Sequence, residues 1–437
     1  MTMVNAFDAG KGVTLDPEDA ALIERRARAM GPAYRLFYEE PLHIVRGEGV
    51  WLWDSAGRRF LDGYNNVASL GHCHPKVIEA IARQAGILNT HTRYLHGDVV
   101  AYAERLLATM PDGLGHVMFT CTGSEANDLA LRIARSHTGR DGVIVTRNAY
   151  HGVTEAVAEL SPSLGPHVPR GARVRVIDAP DPVNVPPEEQ GAKMARDLAQ
   201  AISGMRADGI EPAAFLCDTL FSSDGLYPDP AGFLSQAVEV IRAEGGLFIA
   251  DEVQAGFARS GEAWWGVARH GVAPDMITMG KPMGNGFPVA GVALRPEVVA
   301  EFGAKARYFN TFGGNPVAVA AGMAVMDVIE GEGLMDNSRR IGGMLKEAIG
   351  RICEGRDDTV AVRGAGLYLA LDCVAGGAPD AEMAAFVVNH MRRNGVLISA
   401  TGPKGHCLKI RPPLVMGEDE AELLAGALDA ALGAWRR

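Results

Sequence analysis

Apolar runs of strand length alternate with amphipathic, helix-length patterns through most of this chain. Between about residues 75 and 320 the runs Val117-Met-Phe, Val143-Ile-Val-Thr, Val174-Arg-Val-Ile, Ala213-Ala-Phe-Leu-Cys, Leu247-Phe-Ile-Ala and Met276-Ile-Thr are separated by stretches of helical period. Several of these runs are continuously apolar instead of alternating in polarity. Burial on both faces of a mainly parallel sheet requires this, so the pattern predicts an α/β fold.

The flanks read differently. Residues 16–30 predict a helix with Pro17 in its first turn, and short strands follow near residues 43–46 and 50–54. Four prolines within residues 179–189 predict an exposed loop. Beyond about residue 322 a long helix, a strand segment at 361–371, a second helix, a strand at 396–399 and a terminal helix follow. Leu424, Leu428, Ala431, Leu432 and Trp435 fall on one face of that last helix. The expected division is an N-terminal arm joined to the small lobe (1–74), a large domain (75–320) and a smaller α+β domain (321–437).

At 437 residues, 47% hydrophobic and 22% charged, the chain has material for more than one core. A net charge of −11 leaves no electrostatic footprint for nucleic acid. No apolar run approaches membrane-spanning length, and the N-terminal residues lack the regions of a signal peptide, so no membrane partner and a cytoplasmic location are expected. The six cysteines are dispersed without paired spacing. His72-Cys73-His74 with His91 and His96 invites a zinc reading, but adjacent ligands in one turn converge poorly on a tetrahedron, and no metal is expected.

Four places carry candidate chemistry. Gly123 and Ser124 begin an amphipathic helix (Ala126, Leu129, Ala130, Ile133, Ala134), where free N–H groups suit a phosphate; the alternative is a plain serine cap. Tyr150 follows directly on a strand, placed to stack on a flat heterocycle or to pack on the sheet edge. Asp251 ends an apolar strand and needs a cationic partner, which is either an internal arginine or a protonated ring nitrogen. Lys281 stands between the apolar Met276-Ile-Thr-Met and a turn with Pro282, Gly284 and Gly286. A lysine desolvated there has a lowered pKa and can form a Schiff base; most lysines are surface residues. A nucleotide P-loop is excluded by Pro282 after the lysine and Asp275 in place of the upstream glycine.

With these residues in place, nearly the whole chain resembles the class III aminotransferases of the fold-type I pyridoxal phosphate enzymes. The likeness rests on Cys121-Thr-Gly-Ser-Glu-Ala-Asn, Ala149-Tyr-His-Gly, Ala250-Asp-Glu-Val-Gln-Ala-Gly-Phe-Ala-Arg-Ser-Gly, Met279-Gly-Lys-Pro-Met-Gly-Asn-Gly-Phe-Pro and Phe309-Asn-Thr-Phe-Gly-Gly-Asn-Pro, in the family's order. It implies a large domain with a mainly parallel sheet, a smaller α+β domain and pyridoxal 5'-phosphate as cofactor. Lys281 would be the Schiff-base lysine and Asp251 the partner of the ring nitrogen. Gly123 and Ser124 would bind the phosphate, Tyr150 and Val253 would sandwich the ring, and Gln254 would approach its phenolic oxygen. His151 and Asp218 would join the cofactor contacts. Thr311 would reach the neighbouring subunit's cofactor, which implies a homodimer with shared active sites.

Two departures bear on the substrate. Many members have Glu-Pro-Val-Gln-Gly where this chain has Cys217-Asp-Thr-Leu-Phe, with Asp218 replacing the glutamate. The segment before Pro412-Pro-Leu lacks the mobile arginine of amine:pyruvate transaminases and offers Lys404, Lys409 and Arg411 instead. Together with Tyr64-Asn-Asn-Val (Tyr64, Asn66 and Val67 as substrate contacts) and Asn89-Thr-His-Thr-Arg-Tyr-Leu-His (Arg93), the chain resembles the subgroup containing phospho-lyases of phosphoethanolamine and phosphohydroxylysine. The expected activity is transfer of an amino group from a primary amine to an oxo acceptor. The alternative is phosphate elimination from a phosphoamine at the same site. A non-catalytic binding module on this fold is a third reading, which the intact Lys281 and Asp251 disfavour.

Overall fold

The computed structural model describes residues 5–65 and 67–436. Its centre is a seven-stranded sheet: β1 (His116–Thr120), β2 (Gly142–Thr146), β3 (Val174–Ile177), β4 (Pro212–Asp218), β5 (Leu247–Asp251), β6 (Met276–Met279) and β7 (Ala290–Leu294). The spatial order is β1-β7-β6-β5-β4-β2-β3. The six apolar runs singled out in the sequence all fall on strands. The seventh strand, β7, pairs antiparallel with both β6 and β1, whereas β6, β5, β4, β2 and β3 run parallel.

Strands β2, β5, β6 and β7 are buried at every position, as doubly covered strands must be. The helix Gly123–Thr138 packs Leu129, Ala130, Ile133 and Ala134 against one face of the sheet, while Gln190–Ala207 and Leu234–Ala243 cover the other. The parallel strands present their carboxyl ends on one edge, where Thr401 and Lys409 of the C-terminal region donate to the Ser222 carbonyl.

A four-stranded antiparallel sheet of Arg363–Ala365, Tyr368–Asp372, Cys407–Ile410 and Ser399–Thr401 lies in the C-terminal third. A second four-stranded sheet joins Ile44–Glu48, Trp51–Asp54 and Arg59–Asp62 to Val396–Leu397, the last pair parallel, which ties the beginning of the chain to its end. The long helix expected after residue 322 is two helices, Pro316–Gly331 and Leu334–Cys353. Gly333, at φ +63, turns the chain between them. The 361–371 segment is a hairpin with Gly366 at φ +55 in its turn. Leu424, Leu428, Ala431 and Leu432 are buried as the terminal period requires, and Trp435 is the residue that ends that helix. No helix is long and apolar enough to cross a membrane among the described residues.

Candidate active site at the carboxyl edge of the sheet

Asp251 is the last residue of β5. Sheet register sets it beside Asp218 of β4 and Thr278 of β6, so two carboxylates stand at the same level on adjacent strands. Asp251 is buried, and its charge is matched by donors. Its Oδ2 faces His151 Nδ1 at 2.7 Å and accepts from Asn127 Nδ2 at 3.0 Å, and its Oδ1 accepts from the Val253 N–H at 3.1 Å. Burial raises the Asp251 pKa, but the hydrogen bond and charge of His151, the Val253 N–H and Lys281 together outweigh it, and the net shift is downward. Asn127 is held in turn by the Thr278 hydroxyl at 2.7 Å and donates also to the His151 carbonyl at 2.8 Å.

Lys281 begins the short turn Lys281–Gly284 and has φ +35. A lysine in this left-handed region costs about 1–3 kcal/mol, a strain of the kind that clusters at functional sites. Its Nζ lies 6.0 Å from the Tyr150 ring centroid. Loss of water lowers the Lys281 pKa, Arg411 acts in the same sense, and Asp251 and Asp218 oppose them without reversing the shift.

Both groups face one cavity of about 250 Å³. Gly123, Ser124, Tyr150 and Val253 line it with Asp251 and Lys281, and His151, Asp218, Gln254 and Val67 also contribute to its wall. Thr122 caps the Gly123–Thr138 helix through a reciprocal pair with Glu125, so Ser124 is released from capping, and its Oγ accepts from the Val153 N–H at 3.1 Å. The room at this helix start depends on missing side chains. A Cβ on Gly123 would lie 3.0 Å from Val253, and one on Gly152, at φ +143, would lie 2.5 Å from Ser124 Oγ. A helix N-terminus free of side chains, an ionised carboxylate at the opposite end and a lysine amine between aromatic and apolar walls fit a phosphorylated pyridine aldehyde.

Beside the cavity lies a buried cationic group. Gln254 Oε1 accepts from Arg411 Nη1 and, at 3.4 Å, from Lys409 Nζ; Arg411 also donates to the Tyr368 hydroxyl at 3.1 Å and to the Tyr64 carbonyl at 3.2 Å. Burial and the neighbouring Arg411 hold the Lys409 pKa well below the ordinary lysine value. Asp218 accepts N–H bonds from Leu220 and Ser222 at 3.0 and 3.1 Å, and burial followed by the charge of Asp251 raises its pKa.

Not every residue singled out in the sequence meets at the cavity. Lys404 is exposed, because it sits in the solvent-facing turn closed by the Gly405 N–H to Gly402 carbonyl bond. Arg93 is exposed, lies 3.8 Å over the Phe309 ring and borders a separate cavity. Thr311 is exposed and does not line this cavity. Tyr64 contacts Arg411 through its carbonyl, and its ring packs edge-on against Phe37. Asn66 lies outside the described residues. Asn127 and Thr278 were not singled out, although Asn127 closes the quoted Thr-Gly-Ser-Glu-Ala-Asn motif and falls one turn into its helix. His72, from the zinc-like cluster, is paired with Asp62 at 2.7 Å. No group of three or more potential metal ligands occurs among the described residues.

Comparison with known proteins agrees with this geometry. The family model described as aminotransferase class-III matches residues 37–432. An alanine–glyoxylate aminotransferase 2-like protein of Drosophila melanogaster is 39% identical over 92% of this chain and 84% of its own length. The ethanolamine-phosphate phospho-lyase homolog 1 of Caenorhabditis elegans is 35% identical over 94% of this chain and 93% of its own. Among solved structures, a phospholyase from Arthrobacter in complex with phosphoethanolamine superimposes with a TM-score of 0.91 at 42% identity, covering 95% of this chain and all of that one.

Proposed function

The chain belongs to the class III aminotransferase family and is a pyridoxal phosphate enzyme, and we propose that it moves the amino group of a primary amine to an oxo acceptor. The observation that carries this reading is the pair Lys281 and Asp251 facing one cavity, with Asp251 kept ionised by His151, Asn127 and Val253. When bound, the cofactor supplies an aldehyde that condenses with amines and a ring that draws electrons from the adjacent C–H bond.

The chain's own residues supply the rest. Gly123 and Ser124 hold the phosphate at the helix start, and Tyr150 and Val253 flank the ring. Asp251 holds a proton on the ring nitrogen. His151 acts through Asp251, and Asp218 and Gln254 border the opposite side. Lys281 Nζ, with its lowered pKa, takes the proton from the substrate carbon that bears nitrogen and returns it. Val67 and the Tyr64 loop face the incoming amine, and Arg411 with Lys409 meets an anionic group on it.

A second reading is favoured by that buried pair of basic side chains and by the phosphoethanolamine named for the Arthrobacter structure. A β-phosphate on the amine would leave after the same deprotonation, turning transfer into elimination. Incubation with phosphoethanolamine, with and without pyruvate, separates the two. Alanine formed from pyruvate and a simple amine supports transfer; inorganic phosphate released without any acceptor makes elimination the main activity.

A homodimer with shared active sites is part of the proposal, with Thr311 serving the neighbouring subunit. The exposed side chains of Tyr94, Leu95 and Phe312 support it. A cytoplasmic location is consistent with the six unpaired cysteines. The proposed domain boundaries fall at residues 74 and 320, with the first segment joining the C-terminal one through Arg59–Asp62 and Val396–Leu397.

A further inference from the structure

The loop of residues 63–71 carries Val67 into the cavity wall, and it is fastened from three directions. Inside the loop, Asp62 Oδ1 accepts from the Tyr64 and Asn65 N–H groups, and Asn65 Oδ1 accepts from Val67 and Ala68. From the C-terminal segment, the Arg411 N–H donates to the Gly63 carbonyl and the Leu414 N–H to the Ser69 carbonyl, each at 2.7 Å. From the lysine side, among the described residues, Asn285 holds it. Asn285 Oδ1 accepts from the Leu70 N–H at 2.8 Å, and Asn285 Nδ2 donates to the Gly71 carbonyl at 2.9 Å.

Asn285 directly follows the turn Lys281–Gly284, and its N–H donates to the Pro282 carbonyl at 3.1 Å. Its own backbone is left-handed, at φ +48 and ψ +40. Asparagine tolerates this region better than most residues, but glycine tolerates it fully. The amide side chain therefore needs a reason beyond the turn, and the two-bond clamp on Leu70 and Gly71 supplies it. Residues 286–289, immediately after Asn285, line the same cavity as Val67. The clamp thus fixes the gap between the two lips of the cavity.

We infer that Asn285 is a positioning residue that sets the substrate-side width of the cavity by locking loop 63–71 to the Lys281 turn. The inference rests on the reading that the amine enters this cavity. It acts on substrate capture more than on proton transfer, because Lys281 keeps its own turn when the side chain is lost.

The test is Asn285→Gly, which keeps the backbone conformation open and removes only the amide. In the cofactor-loaded protein, KM for the amine rises about tenfold with kcat changed less than about twofold. Hydrogen exchange at the Leu70 amide, followed with and without cofactor, accelerates by about tenfold or more. Asn285→Asp is the second variant: it retains an acceptor for Leu70 and loses the donor to Gly71, so Leu70 stays protected while KM still rises. A parental KM in both variants, or Leu70 exchange unchanged in Asn285→Gly, overturns the inference. Absence of amine turnover in the parent protein would instead defeat the reading of the cavity itself.

Discussion

His151 Nδ1 stands 2.7 Å from Asp251 Oδ2 with both side chains buried, and His151 Nε2 has no hydrogen-bond partner among the described residues. The imidazole therefore spends its one strong polar contact on the carboxylate. Hydrogen bonding to the ionised form is what keeps Asp251 charged against the cost of burial.

Replacing His151 by Phe removes the largest of these supports and leaves Asn127, the Val253 N–H and the charge of Lys281. A lowered carboxyl pKa keeps Asp251 ionised as pH falls; without His151 the burial effect wins and the pKa rises. The acid limb of the kcat profile is expected to move to higher pH, with turnover at neutral pH down by about 10- to 100-fold. A pH profile superimposable on the parent's would refute the role.

Ser124→Ala deletes one hydroxyl at the helix start, whereas Gly152→Ala pushes a methyl into Ser124 from a backbone at φ +143. Cofactor affinity should fall about fivefold to tenfold in the first case and further in the second. Titration of cofactor-free protein, followed by absorbance, checks the ranking.

Lys409→Met keeps the length of the side chain and removes the amine that donates to Gln254. For amines carrying a carboxylate or phosphate, KM is expected to rise about 10-fold to 100-fold, while neutral amines are handled as before. An equal loss for both classes would remove Lys409 from anion recognition.

The depressed pKa of Lys281 has a signed consequence for stability. Between the folded value and the ordinary 10.5, the unfolded chain holds a proton that the folded chain does not. Stability from this group is therefore reduced at neutral pH and recovers as pH rises toward 10.5. In cofactor-free protein, Lys281→Met should exceed the parent in urea midpoint near pH 7, and the gap should narrow by pH 10. A gap independent of pH would contradict the shift.

Much of the sheet could be read from the sequence because doubly buried strands are continuous apolar runs with sharp ends. The β7 strand, Ala-Gly-Val-Ala-Leu, escaped because its small residues carry weak strand preference and its antiparallel insertion depends on β1 and β6, which are distant in sequence. The Lys281 and Asp251 positions were legible because a charge at the end of an apolar strand has few innocent explanations. Choosing among Lys404, Lys409 and Arg411 was not a matter of composition. Lys409 lies on a strand and Arg411 two residues on, which turns both toward one side, whereas Lys404 falls in the preceding turn. Asn285 was hidden because its partners are over 200 residues away.

The three-way fastening of loop 63–71 also bears on redesign. A segment anchored separately to Arg411, Leu414 and Asn285 does not behave as an interchangeable cassette. Grafting a relative's version of it alone would arrive without matching attachment points, so a chimera that transplants substrate preference has to carry the 285–289 and 409–414 stretches in the same exchange.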